Sequence, residues 1–167
     1  MWSKARSILA DAGRPARGRA AALALTLLTL VACAGQTPAP EVGRAGLYPN
    51  ETPELRALIE TTSRTYGVPT DLVQRVVIRE SRHIPAARNG PYYGLMQILP
   101  ETARTMGYRG RPEGLLDAET NLTYGVKYLR GAWLVADGDP DEAVGWYARG
   151  YYYEAKRLGL LEETGLR

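Results

Sequence analysis

The sequence contains one cysteine and one histidine, Cys33 and His83. A single cysteine cannot form a disulfide within the chain. A lone histidine without a cysteine partner or a second histidine is a poor basis for a metal site, because zinc takes several such ligands. We therefore expect no intrachain disulfide, no metal and no cofactor, and we interpret His83 as a loop or surface residue.

The sequence also lacks an excess of positive charge outside its N-terminus. The formal net charge is +3, but residues 1–32 contain five basic residues and one acidic residue. The rest of the chain then has 21 − 5 = 16 basic and 18 − 1 = 17 acidic residues, so its net charge is −1. The basic balance therefore gives no reason to predict a nucleic-acid partner.

An apolar run of transmembrane length is absent as well. Residues 20–32 form an uncharged apolar run of 13 residues, whereas a membrane-spanning helix needs about 20. This run follows a basic stretch, so residues 1–32 are interpreted as a secretory signal. Leu30-Val31-Ala32-Cys33 then resembles the lipobox of bacterial lipoproteins. The alternative is an ordinary buried or free cysteine after a plain signal.

The lipoprotein resemblance implies that Cys33 is lipidated and becomes the new N-terminus. The lipid on Cys33 would then be the only contact of the chain with a membrane. Residue 34 is alanine and not aspartate, which by resemblance to lipoprotein sorting favours the outer membrane, with the protein on the periplasmic side of the envelope.

The remaining residues lack internal repeats and the alternating pattern of strands. Residues 33–50 are rich in Gly, Pro and Ala and are interpreted as a flexible linker. Residues 51–167 are predicted to form one all-α domain with little or no β structure. Residues 84–93 are predicted to be a loop because they contain two prolines and a glycine. Helices are predicted over residues 53–66, from 70 or 71 to about 81, from 100, over 118–137, over 140–149 and from about 151.

Glu80 lies on the apolar face of its predicted helix, four residues after Val76 and eight after Leu72. An ionised carboxylate there loses hydration, which raises its pKa. A carboxyl group that stays protonated near neutral pH can act as a general acid. The alternative is a half-buried glutamate paired with one of the nearby arginines, namely Arg79, Arg82 and Arg88.

A wider constellation surrounds Glu80. Its members are Glu80-Ser81, Gly94-Leu95-Met96-Gln97, Asn121-Leu122 with Gly125 and Tyr128-Leu129, and Tyr147. Together they resemble the soluble-type (family 1, SLT-domain) lytic transglycosylases of the lysozyme-like superfamily. The resemblance extends over about residues 53–150. It implies a goose-type helical domain with a cleft, and the glycan strands of peptidoglycan as substrate.

The resemblance also implies a reaction. Glu80 would protonate the oxygen between N-acetylmuramic acid (MurNAc) and N-acetylglucosamine (GlcNAc). It would then accept the proton of the muramic C6 hydroxyl, which closes a 1,6-anhydro ring without water. Most glycoside hydrolases need two carboxylates, and the next acid after Glu80 is Glu101. A second carboxylate from Asp117 or Glu119 stays possible, although both are interpreted as helix-start residues.

Further roles follow from motif position, each with an alternative. Ser81 would orient the substrate or Glu80, or else bond back to its own helix. Gly94 would allow close backbone approach, or be a turn glycine. Met96 and Gln97 would line the sugar site, although Met96 could equally be a core residue.

Two later positions complete the predicted site. Asn121 is placed among the supporting, substrate-binding residues. Tyr147 would hydrogen-bond Glu80, or else be an aromatic core residue. The family usually has Tyr-Asn-Ala-Gly where this chain has Tyr147-Ala148-Arg149-Gly150, which puts one late contact in doubt.

Exposed tyrosines are predicted to extend the groove, because sugar rings pack on aromatic faces. The candidates are Tyr92, Tyr93 and the run Tyr151-Tyr152-Tyr153. For at least two residues of that run, ordinary helix packing is the favoured interpretation.

Three other functions stay open. The first is a muramidase that uses water, whose product is heavier by one water than the anhydro sugar. The second is an inactive peptidoglycan-binding lipoprotein, and the third is a helical scaffold of the envelope. The scaffold predicts that Glu80 can be replaced by glutamine without loss, and the joint presence of Glu80, Ser81, Gln97 and Tyr147 argues against a pure binding protein.

Overall fold

The computed structural model describes residues 46–167. The predicted signal at 1–32, Cys33 and most of the predicted linker lie outside the described residues. Within the described part, six α-helices and one small hairpin confirm the all-α prediction, and no helix there is long and apolar enough to cross a membrane. The elements are α1 (Pro53–Tyr66), α2 (Thr70–Ser81), β1 (Arg88–Asn89), β2 (Tyr92–Tyr93), α3 (Pro100–Thr105), a 3₁₀ helix (Pro112–Leu116), α4 (Ala118–Val135), α5 (Pro140–Arg149) and α6 (Tyr152–Leu158).

Side-chain caps start the helices where the sequence predicts them. The Thr52 hydroxyl accepts a hydrogen bond from Leu55 N at 3.2 Å. The Asp117 carboxylate accepts one from Thr120 N at 2.8 Å, and Asp139 caps the start of α5 in the same way. Each cap satisfies a backbone N–H that has no partner inside the helix. These local bonds fix where α1, α4 and α5 begin.

Two predicted boundaries differ from the structure. The predicted loop at 84–93 contains the hairpin of β1 and β2, which turns through Gly90 at φ +57°. The predicted helix over 118–137 ends earlier, at Val135. It stops there because Asp137 and Gly138 adopt left-handed backbone angles, φ +50° and +82°, which a right-handed helix cannot continue.

Helix α4 lies at the centre of the core. Leu122, Val126 and Leu129 on its inner face are fully buried, and α4 packs against both α1 and α5. Burying each of these side chains contributes roughly 2 kcal/mol relative to exposure. Trp133 and Ala136, predicted for the same face, are only partly buried, because they lie where the helix ends.

The residues just before α1 contact the helical domain. The Glu51 carboxylate is fully buried and accepts hydrogen bonds from Arg56 Nε at 2.7 Å, Gln74 Nε2 at 2.7 Å and Tyr48 N at 2.9 Å. Burial alone would raise the pKa of Glu51, but these hydrogen bonds together lower it to about 2. The described fold thus includes contacts of Tyr48, within the stretch 33–50 that the sequence predicts as a linker.

His83 lies in the turn after α2, as expected for a loop residue, but it is buried, at 1 % exposure, so that a surface position is wrong. Its Nε2 lies 2.7 Å from Gln74 Oε1, and its ring stacks on Tyr48 with centroids 5.4 Å apart. Burial lowers the pKa of His83. The contact with Gln74 joins the turn to α2.

Candidate active site

Glu80 lies in the last turn of α2, where the helix meets a cleft. Val76 and Val77 on the preceding turn are buried, whereas the Glu80 side chain is 24 % exposed. The helix ends at Ser81 because Arg82 adopts a left-handed φ of +51°. The carboxyl group therefore projects from the edge of the core into partly solvated space.

The environment of Glu80 favours its protonated form. Burial raises the pKa of Glu80, and the positive charge of Arg79 offsets part of that rise. Arg79 Nε lies 3.5 Å from Glu80 Oε1, but the Arg79 side chain is 54 % exposed. A solvated pair at this distance is weak. The geometry therefore disfavours the alternative in which a close arginine neutralises the Glu80 carboxylate.

Two adjoining hollows form the cleft. The first has a volume of about 340 Å³ and contains Glu80 in its wall. The second, about 280 Å³, extends past α5 towards Thr102 and Arg149. Within residues 46–167, Glu80 is the only acidic residue that lines either hollow. The two hollows share four lining residues, Tyr92, Gln97, Tyr147 and Ala148.

Gln97 lies in the cleft wall in a constrained conformation. Its φ of +45° is left-handed, which is uncommon for a residue other than glycine. Its Nε2 donates to Ala87 O at 3.1 Å and to Gly94 O at 2.8 Å. Both amide protons are thus engaged, and Oε1 remains as the acceptor that the side chain can offer to a ligand.

Asn121 holds the backbone of the cleft wall and does not face the cleft. It is fully buried, its Oδ1 accepts from Met96 N at 2.8 Å, and its Nδ2 donates to Tyr93 O at 2.8 Å and Leu115 O at 2.7 Å. Its side chain has no exposed atom for a sugar. The predicted substrate-binding role of Asn121 is therefore wrong, and its role is to shape the wall.

Gly94 and Met96 are, like Asn121, residues that pack against other parts of the protein. Gly94 has φ +73°, and a Cβ there would lie 2.2 Å from Asn121 Nδ2. The close approach predicted for Gly94 is thus to Asn121 and not to a ligand. Met96 is fully buried, and a Cβ on Gly125 would lie 2.5 Å from its Sδ. The prediction that Met96 lines the sugar site is wrong, and its alternative as a core residue is correct.

The family model described as the transglycosylase SLT domain matches residues 57–159. The chain belongs to the SLT transglycosylase family. Neither the curated proteins nor the solved structures contain a significant match to the chain. The family consists of lytic transglycosylases of the lysozyme-like class, so membership supports an enzyme that acts on peptidoglycan and agrees with the observed helical fold.

Ser81 of the SLT domain makes a hydrogen bond to its own helix. Its hydroxyl donates to Val77 O at 3.2 Å, and the residue is 7 % exposed. The side chain therefore ties the last turn of α2 to the preceding one. The hydroxyl thus makes the bond to its own helix that was the alternative and not one to Glu80, and a contact with the substrate stays a prediction.

Tyr147 of the SLT domain lies near Glu80 without donating to it. Its hydroxyl donates to Met96 O at 2.8 Å in place of the predicted hydrogen bond with Glu80. Burial raises the pKa of Tyr147 well above its usual value, and the charge of Glu80 raises it further. The phenol therefore stays protonated and links α5 to the cleft wall at Met96.

The five tyrosines predicted to extend the groove lie in three places: the cleft, the core and the surface outside the cleft. Tyr92 lines both hollows, whereas Tyr93 is buried and Tyr151 is buried with its hydroxyl donating to Tyr128 O at 2.8 Å. Tyr152 and Tyr153 are exposed but line neither hollow. Of the five tyrosines in the groove prediction, only Tyr92 lines the cleft.

Three further residues of the cleft, Asn89, Tyr128 and Arg149, had no role predicted from the sequence. Tyr128 lines the second hollow and contacts Tyr147 edge to face, with ring centroids 5.4 Å apart. Asn89 lines the first hollow and Arg149 the second. Tyr128 follows Asn121 by two helical turns on α4, a spacing that places both towards the same side. For Asn89 and Arg149, the sequence carries no comparable signal.

Proposed function

We propose that this chain cleaves the β-1,4 bond between MurNAc and GlcNAc without water, as a family 1 lytic transglycosylase. Glu80 acts first as the acid and then as the base. The supporting observation is that, within residues 46–167, the cleft contains a single carboxyl group whose pKa is raised by burial. Family membership supplies the substrate class.

The reaction balances with one carboxyl group. Glu80 donates its proton to the glycosidic oxygen, the bond from that oxygen to muramic C1 breaks, and GlcNAc leaves with a free hydroxyl. The Glu80 carboxylate then removes the proton of the muramic C6 hydroxyl, whose oxygen bonds to C1. A 1,6-anhydro ring forms, Glu80 is protonated again, and no water is consumed. The acetamido group of the substrate stabilises the positive charge that develops at C1.

The geometry offers less support for hydrolysis by two carboxylates. Inverting and retaining hydrolases place a second carboxyl group across the scissile bond from the acid, less than about 10 Å away. Asp117, one sequence candidate for that role, caps α4 and accepts from Thr120 N. Glu119 follows in the first turn of the same helix. Neither lines the cleft.

The mass of the released sugars tests the proposed reaction. Purified protein is incubated with isolated peptidoglycan sacculi, and the soluble products are analysed by mass spectrometry. We expect products that end in anhydroMurNAc, because the C6 hydroxyl replaces water as the nucleophile. Products heavier by one water would identify a muramidase instead. Binding to sacculi without release would identify an inactive binding protein.

We also propose that the enzyme is anchored through a lipid on Cys33, after cleavage of a signal at residues 1–32, on the periplasmic side of the outer membrane. The support is the lipobox-like Leu30-Val31-Ala32-Cys33 after an apolar run. Replacing Cys33 by serine is expected to abolish incorporation of labelled palmitate and to release the protein from the membrane fraction. Palmitate labelling that persists in Cys33→Ser would contradict the anchor.

A further inference from the structure

We propose that the residues before α1, the N-terminal segment (residues 46–51), position Glu80 through the turn that follows it. This inference rests on the proposed function of Glu80. The segment precedes the matched family region, which begins at residue 57. Its contacting residues Tyr48, Asn50 and Glu51 therefore lie outside that match, whereas the turn lies inside it.

The turn after Glu80 has an unusual backbone. Arg82 and His83 both have positive φ, +51° and +62°, so that two consecutive residues with side chains occupy the left-handed region. Such residues persist only where surrounding contacts hold them. If these two residues relaxed, the end of α2 would change direction, and the Glu80 carboxyl group would move with it.

The N-terminal segment supplies contacts to both strained residues. Asn50 Nδ2 donates to Arg82 O at 3.0 Å. The Tyr48 ring stacks on the His83 ring, with an angle of 9° between their planes. Because these residues are more than 30 positions apart in the chain, local sequence preferences do not supply this support.

The buried carboxylate of Glu51 fixes the segment to α2. Glu51 Oε1 accepts from Gln74 Nε2 at 2.7 Å, and Gln74 Oε1 in turn lies 2.7 Å from His83 Nε2. A continuous chain of hydrogen bonds thus leads from Glu51 through Gln74 to the turn. None of these residues lines the cleft, so they are positioning residues and not catalytic ones.

The double variant Tyr48→Ala/Asn50→Gly in the full chain removes both contacts to the turn. Glycine at position 50 tolerates the φ of +65° found there, and the buried Glu51 side chain is left in place. We expect kcat for glycan release to fall about 10-fold to 100-fold, because small misplacements of reacting groups cost that much. KM should stay within about twofold, because the cleft wall is unchanged.

Two controls separate positioning from general destabilisation. Tyr48→Phe keeps the stacked ring and should retain wild-type kcat. Ala155→Gly lowers stability in α6, at a buried residue, and should leave kcat unchanged at temperatures where all the variants are folded. Hydrogen exchange of the backbone amides at residues 82–84 should rise in the double variant only.

Three results would overturn the positioning role: wild-type kcat in the double variant, an equal loss of kcat in Ala155→Gly, or unchanged exchange at residues 82–84. A wild-type protein that releases no glycan product would instead contradict the proposed function. In that case, the exchange measurement still shows whether the segment holds the turn.

Discussion

Replacing Glu80 by glutamine is expected to lower the rate of glycan release by at least about 100-fold, and by up to about 10⁴-fold. The amide has nearly the same shape as the acid but cannot donate a proton to the glycosidic oxygen. No other acid lines the described cleft that could substitute for it. The rate of release of anhydro-terminated products from sacculi measures the effect.

Stability measurements show whether an inactive Glu80→Gln protein is folded. Burial raises the pKa of Glu80 in the folded state, so the native state binds the proton more tightly than the unfolded chain does. The carboxyl group therefore destabilises the fold as the pH rises from its unfolded pKa to its higher folded pKa, and the effect is constant above that. Glu80→Gln should unfold at the same or a higher temperature than wild type at pH 7, and this difference should disappear in acid.

Glu101→Gln is the matched control, because Glu101 is the next acid in the sequence and is exposed. It should retain wild-type activity. Full glycan release by Glu80→Gln would show that another group supplies the proton.

The second large effect is expected for Gly94→Ala, which should lower the free energy of unfolding by about 2–5 kcal/mol. A left-handed residue with a Cβ costs about 1–2 kcal/mol, and forcing extra atoms into a packed site costs about 1–3 kcal/mol more. The new Cβ would lie 2.2 Å from Asn121 Nδ2 and 2.4 Å from Leu115 O. The three hydrogen bonds of Asn121 would have to shift. Urea denaturation measures the loss.

Gly90→Ala separates the two contributions. Gly90 also has a left-handed φ, +57°, but a Cβ there would meet nothing within 4 Å. We therefore expect a loss of only about 1–2 kcal/mol, the backbone part alone. If both variants lost the same free energy, the packing of Asn121 against Gly94 would contribute nothing to stability.

The sequence predicts the helices well because their signals act within one turn. Asp139 followed by Pro140 places a cap and an N1 proline in order, and the structure begins α5 there. The apolar stripe that ends at Glu80 likewise depends only on helical spacing. The all-α class and the half-buried position of Glu80 could therefore be predicted without tertiary information.

The roles of the surrounding residues depend on contacts between distant parts of the chain. Tyr147 donates to Met96 O across 51 positions, and Asn121 accepts from Met96 N across 25. Periodicity shows which residue types recur but not which backbone group each side chain meets. For this reason the sequence identified Asn121 and Tyr147 as important, yet assigned them to a ligand and to Glu80 instead of to the wall.

The wall residue Gln97 determines which chemical groups the cleft can recognise at that point. With both of its amide protons bound to Ala87 O and Gly94 O, this side chain can act towards a sugar only as an acceptor. A glycan that presents an N–H or a free hydroxyl there is complementary. In a glycan whose hydroxyl at that point is esterified, an acceptor of the ester would face the Gln97 acceptor. Peptidoglycan esterified at that hydroxyl is therefore expected to be a poorer substrate.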